Sequence, residues 1–132
     1  MDVWHHAWVT LIVTAILYPF FGALAFFAIL GGVLIDFDHY LWCIYDRKDL
    51  SIHRAYHHCK YGNALNQLHI FHTVECWIVI IVLSFFYVPV MIAGLGMVPH
   101  LLMDTYDMSV RNRHDGRTIS IITWLLRKRK KS

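Results

Sequence analysis

The chain has 132 residues, 58% of them hydrophobic and 16% charged, with a formal net charge of +3. Ordinary soluble domains carry roughly 45–50% apolar and about 25% charged residues, so the skew points to a single membrane unit and excludes two domains. Nucleic acid is not expected as a partner.

The chain opens on "MDVWHH", without a basic stretch ahead of its apolar run, so the start is expected to be retained rather than cleaved as a leader. No Lys, Arg, Asp or Glu lies between Val3 and Ile35, and none between Cys76 and Met103. Uncharged apolar runs of ~18 residues or more are read as membrane-spanning candidates. The first block, from Ala7 to Ile35, is interrupted by "YPFFG" at Tyr18–Gly22. As one unbroken helix it would reach roughly 43 Å, more than a ~30 Å hydrocarbon core. Pro19 and Gly22 favour a tight helical hairpin, with a single kinked helix as the alternative. The block from His69 to Tyr106 repeats the design, with "YVPV" around Pro89 at its turn.

The expected fold is therefore an all-α integral membrane protein of two short helical hairpins, about four membrane helices in all. Hairpin 1 covers about residues 5–39, a polar connection 40–66, and hairpin 2 about 67–107, together a membrane-embedded metal-binding domain over 1–110. Residues 111–132 form a basic amphipathic tail. "RTISIITWLLRKRKKS" joins an apolar stretch containing Trp124 to basic residues at 127–131. It reads as an interfacial helix drawn to anionic lipid, or else as a disordered basic end. All twelve Lys and Arg residues lie at or after Arg47, none at a hairpin tip. The positive-inside rule then places the motif ends and the C-terminus in the cytoplasm, the protein being multi-pass in the cell (inner) membrane.

The polar residues fall at the ends of the apolar arms. His5 and His6 precede the first, and Asp36, Asp38 and His39 end the second. His69, His72 and Glu75 open the third, and His100 and Asp104 close the fourth. Each hairpin returns the chain to the side it left, so these groups are expected to meet at one face. An acid at membrane depth costs about 2.5–3.5 kcal/mol on insertion scales, which makes a functional reading the default. Carboxylates mixed with imidazoles suit Zn²⁺, Mn²⁺ or Fe²⁺. His100 and Asp104 are i,i+4, and His69, His72 and Glu75 are steps of three, so each set shares a helix face.

Each residue also has a plainer reading. His5 and His6 could be interfacial, near Trp4 and Trp8. His53, His57 and His58 in "HRAYHH" could belong to a solvated loop, and His114 to the surface. Glu75 could orient a histidine instead of ligating. Cys43, Cys59 and Cys76 show no CxxC spacing and read as free thiols in a reducing compartment. Phe26, Phe27, Phe85 and Phe86 face lipid or core. Gly31, Gly32, Gly94 and Gly96 could pack within one chain or against a second copy in a homo-oligomer.

"GGVLIDFDHY" resembles the "LLPDIDH" element of the small membrane-bound, metal-dependent hydrolases described as LexA-binding and inner-membrane-associated (YdjM-like). "GLGMVPHLLMD" resembles that group's "GYLSHLLLD", and "HHAW" its histidine before the first helix. The group's "HRGFTHS" could align with "HRAYHHC", matching His53, Arg54 and His58, or its second half with "HIFHTVE", matching His72 and Thr73. A related group with "HxxHS" before its third helix favours His69 and His72. Ile35 and Pro99 depart from the first group, which has Pro and a small residue there. The resemblance spans most of residues 5–104 and implies metal-dependent hydrolysis. Its pattern is also similar to that of zinc-dependent phospholipase C and related nucleases.

The expected function is a membrane-embedded metal-dependent hydrolase acting on an amphiphilic phosphoester at the cytoplasmic interface. Nine groups (His5, His6, Asp36, Asp38, His39, His69, His72, His100, Asp104) exceed the needs of one tetrahedral zinc. Two clustered divalent metals are expected, with Zn²⁺ favoured, one of Asp36 or Asp38 bridging and the other acting as general base. His53, His58 and Glu75 are further candidate ligands, and Arg54 could hold a phosphate bidentately. The rivals are a non-catalytic metal- or haem-binding membrane subunit and a membrane di-iron oxygenase or desaturase.

Overall fold

A computed structural model describes residues 3–48, 50–54, 68–111 and 118–129, and no strand occurs among them. The chain divides into two compact units, Met1–Ile35 with Ile78–Arg113 and Asp36–Trp77 with His114–Ser132.

In the first unit, α1 (Val3–Phe21) runs through Pro19 and stops only at Gly22. Gly22 has φ +54°, a left-handed conformation that a residue without Cβ adopts without steric cost. The break is thus made by the glycine, while Pro19 sits in the last turn, where losing one ladder hydrogen bond is tolerated. A 3₁₀ segment (Gly22–Phe26) then leads into α2 (Phe27–Leu34). α2 lies along α1, so that a Cβ added at Gly32 would strike the Thr10 side chain.

α4 (Val74–Ser84) and α5 (Val88–Arg111) are joined by a tight turn in which the Tyr87 N–H donates to the Leu83 carbonyl at 2.9 Å. Pro89 falls in the first turn of α5, where its missing N–H is not needed. α2 and α5 approach backbone to backbone: a Cβ on Gly31 would collide with the Ala93 backbone, and one on Gly96 with that of Ala28. Gly94 in turn lies under the Ile80 side chain of α4, 3.1 Å from where its Cβ would stand.

The apolar residues are mostly outside. Trp8, Leu11, Ile12, Ile16 and Phe20 of α1 are exposed, as are Ile78, Val79, Ile81 and Val82 of α4. Buried positions of this unit include His6, Thr10, Thr14, His100 and Asp104. Thr10 and Thr14 donate their hydroxyls to the carbonyls of His6 and Thr10, at 2.7 and 2.9 Å, which satisfies them inside their own helix. The runs Trp4–Tyr45 and Val88–Asp107 are long and apolar enough to cross a membrane. α4, with 11 residues, reaches only roughly 16 Å, about half a hydrocarbon core.

The second unit holds α3 (Phe37–Arg47), a 3₁₀ turn (Ile70–His72), the first turn of α4, and α6 (Ile121–Arg129). α3 carries helix into residues that the sequence alone assigned to the polar connection. Its apolar positions recur at helical spacing, and it stops at Lys48, which takes a left-handed φ of 55° and donates its N–H to Ile44. The Tyr40 hydroxyl holds the exit segment by donating to the Leu50 carbonyl at 2.8 Å. Thr73 caps α4 through the Cys76 N–H at 3.4 Å, and Ser120 caps α6 through the Thr123 N–H at 3.3 Å.

Candidate metal centres

The first unit brings together His6 of α1 with His100 and Asp104 of α5, all buried. The i,i+4 spacing on α5 puts the last two on one face. His6 Nε2 lies 3.4 Å from Asp104 Oδ1, and His100 Nε2 lies 3.9 Å from Asp104 Oδ2. The His6 and His100 rings stack with centroids 4.0 Å apart. His100 Nδ1 is 2.8 Å from the Gly32 carbonyl, which can only accept, so this nitrogen carries the proton. His100 Nε2 is thereby turned toward Asp104, the orientation a metal-ligating imidazole requires. Pro99, one residue earlier inside α5, removes a ladder hydrogen bond at this turn.

The second unit gathers Asp38 and His39 of α3 with His72 of the 3₁₀ turn. His69 adds to them, with Nδ1 3.6 Å from Asp38 Oδ1 and its ring 3.8 Å from that of His39. Asp38 Oδ2 accepts from the Phe71 backbone N–H at 3.0 Å and lies 3.3 Å from His72 Nδ1. Asp36 is at its edge, with Oδ1 3.7 Å from His39 Nε2.

In each group of three, the ligand atoms lie within 4.8 Å of one another. Tetrahedral ligation at ~2.1 Å sets neighbouring donors roughly 3.4 Å apart, so the His6–Asp104 spacing already suits a bound ion. The donor set also fits: two imidazoles and a carboxylate, buried, with one imidazole proton fixed by a backbone carbonyl.

The remaining candidates lie elsewhere. His5 is exposed on α1 and in neither group; His53 and Arg54 are exposed within residues 52–54. His57, His58, Cys59 and His114 fall outside the described residues. Cys43 is buried and Cys76 half-buried, and neither belongs to a group of three.

Glu75, weighed from sequence as a ligand, caps α6 instead. Its Oε1 accepts from the Ser120 hydroxyl at 2.6 Å and the Ile122 N–H at 3.3 Å, and its Oε2 from the Ile121 N–H at 3.1 Å. These bonds, led by that of Ser120, hold its carboxyl down at about 2, from an ordinary 4.5. A carboxylate at a helix N-terminus satisfies orphan N–H groups and meets the positive end of the dipole.

Two contributions were invisible in the sequence: the Gly32 carbonyl that orients His100, and the Phe71 N–H that holds Asp38. Both belong to the backbone, which leaves no signature in residue identity. Fold and site together define an all-helical protein with two His/Asp groups among the described residues, the first fully buried and the second partly so, each of which could hold a metal ion. No family model matches the chain, and neither a curated protein nor a solved structure does so.

Proposed function

We propose that this protein is a membrane-embedded, metal-dependent hydrolase that binds a divalent cation, with Zn²⁺ preferred, at each of its two His/Asp groups. Its substrate is an amphiphilic phosphoester reached at the cytoplasmic interface. The observation that carries this reading is the buried trio His6, His100 and Asp104, with the His100 proton committed to Gly32. Three protein ligands leave a position open, the pattern of catalytic rather than structural zinc. A bound divalent ion would supply Lewis acidity and lower the pKa of a coordinated water.

The chain's own groups complete the chemistry. Asp38 fixes His72 and His69 in place, and half-buried Asp36 stands beside His39 as the group to take a proton. Arg54 is the proposed phosphate clamp. Membrane residence is supported by the two candidate spans, the outward apolar side chains and the exclusively late basic residues. We place the arms as two hairpins, α4 being a partly inserted arm, with anionic lipid met by α6.

One rival has a specific observation behind it, since two histidines and a carboxylate also form the facial triad of non-haem Fe(II) oxygenases. Elemental analysis of the detergent-purified chain decides between them. We expect about two zinc ions per chain, falling to about one in either Asp104→Ala or Asp38→Ala. Iron with an absorption band would turn the reading to an oxygenase. Metal content and fold stability unchanged in both variants would overturn every metal reading.

A further inference from the structure

The second unit contains a cavity of about 240 Å³ whose walls include Leu41, Trp42, Tyr45, Ile70 and Trp124. One acid, Asp38, also lines it, and Asp38 belongs to the second His/Asp group. The aromatic wall is set by contacts between α3 and α6. Trp124 meets Trp42 edge-on at 6.0 Å, and Lys128 Nζ donates to the Tyr45 hydroxyl at 2.9 Å. The same ammonium sits 5.0 Å from the Trp124 ring centroid and 5.5 Å from that of Tyr45. It is therefore held at the cavity by bonds to two of its walls. The Trp42 indole N–H is buried without a hydrogen-bond partner among the described residues, a donor that an ester or phosphate oxygen would satisfy.

From these features we infer that the cavity receives the hydrocarbon chain of an anionic alkyl phosphoester, whose head reaches the Asp38 group. Pockets that fix a ligand by apolar walls and a few placed polar groups have this composition. A small soluble anion would find almost nothing polar on the walls, and a neutral lipid would leave Lys128 unused. The charge of Lys128, at the Tyr45 and Trp124 edge of the cavity, draws anionic ligands toward it, and the cavity's contact with Asp38 brings their head to the candidate metal ligands. This rests on the metal-site reading of the second group and names the substrate class for it.

The test is photolabelling of the full-length, zinc-loaded protein in phosphatidylcholine discs, using a dodecyl phosphate with a diazirine at the end of its chain. Labelled residues are mapped by mass spectrometry. We expect labels on Leu41, Trp42, Tyr45, Ile70 or Trp124, competed by unlabelled dodecyl phosphate and not by inorganic phosphate. Leu41→Trp, which fills the cavity from an exposed position, should cut this labelling at least tenfold with zinc content unchanged. Lys128→Gln should cut it several-fold and leave labelling by a neutral dodecanol diazirine as it was, and it is the arm that stands if Leu41→Trp does not fold.

Labels confined to lipid-exposed positions such as Leu11 or Val79, or competition by inorganic phosphate alone, would overturn the inference. So would equal labelling by the neutral probe, or labelling that falls as the protein-to-lipid ratio rises, since a second copy would then cover the cavity. A repeat after zinc removal separates the two readings. Cavity labelling in a chain that never binds metal would sink the hydrolase and keep the lipid pocket; absent labelling in zinc-loaded protein would sink the pocket alone.

Discussion

Glu75 stands at the start of an apolar helix and commits both oxygens to the first turn of α6. Its folded pKa is depressed, so its contribution to docking α6 is complete above the unfolded value of 4.5 and is lost as pH falls toward about 2. Protection of the Ile121 and Ile122 amides, measured as exchange relative to the intrinsic rate at each pH, should therefore be high at neutral pH and fall across that window. Glu75→Gln should lower this protection at neutral pH and remove its fall across that window. A residue three steps beyond His72 looks like a ligand in the sequence because helical spacing is blind to what crosses from position 120. At His100 the opposite held. The i,i+4 step to Asp104 was legible, whereas the carbonyl that sets its tautomer was not.

Among the elements, α2 and α5 show how small residues set the first site. Their backbones touch at Gly31 against Ala93 and at Gly96 against Ala28, one turn from His100. A methyl there cannot be taken up by a rotamer change, because what it strikes is backbone. Gly96→Ala should destabilise the detergent-solubilised protein by about 1–3 kcal/mol, read from its denaturation midpoint. Metal should also be lost at the His6–His100–Asp104 group, since His6 reaches its partners only while the helices stay close. An unchanged midpoint would show that the contact is looser than the geometry indicates. The glycine pairs were readable from sequence as packing positions, but not which partner each would meet. α3 was under-read for a related reason: its mixture of Asp, Tyr, Trp and Arg averages out as polar connection. Only the helical spacing of its apolar members betrays it.

For the whole molecule, the placement of polarity is inverted relative to a soluble protein. Large apolar side chains cover α1 and α4, while histidine, threonine and aspartate fill buried positions. Contiguous apolar patches on this scale mark surfaces meant for lipid or for another protein. The protein should remain in the membrane pellet after alkaline and high-salt washes and float with vesicles once reconstituted. Release by salt alone would mean that only the basic tail holds it there. Replacing Arg127, Lys128 and Arg129 by Gln should leave this retention intact and weaken the preference for anionic over neutral vesicles.

Composition, the two uncharged runs and the clustering of His and Asp at their ends were enough to give helices and one pool of candidate metal ligands, expected at a single site. These properties depend on residue identity and local period, which a linear string carries in full. Tertiary structure decided which ligands meet: His6 with His100 and Asp104, and Asp38 with His39 and His72. It also set Glu75 against the start of α6 and left His5 exposed. Those outcomes turn on backbone carbonyls, amides and close helix contacts, whose partners are set by the path of the chain through space. No spacing along the sequence encodes that path.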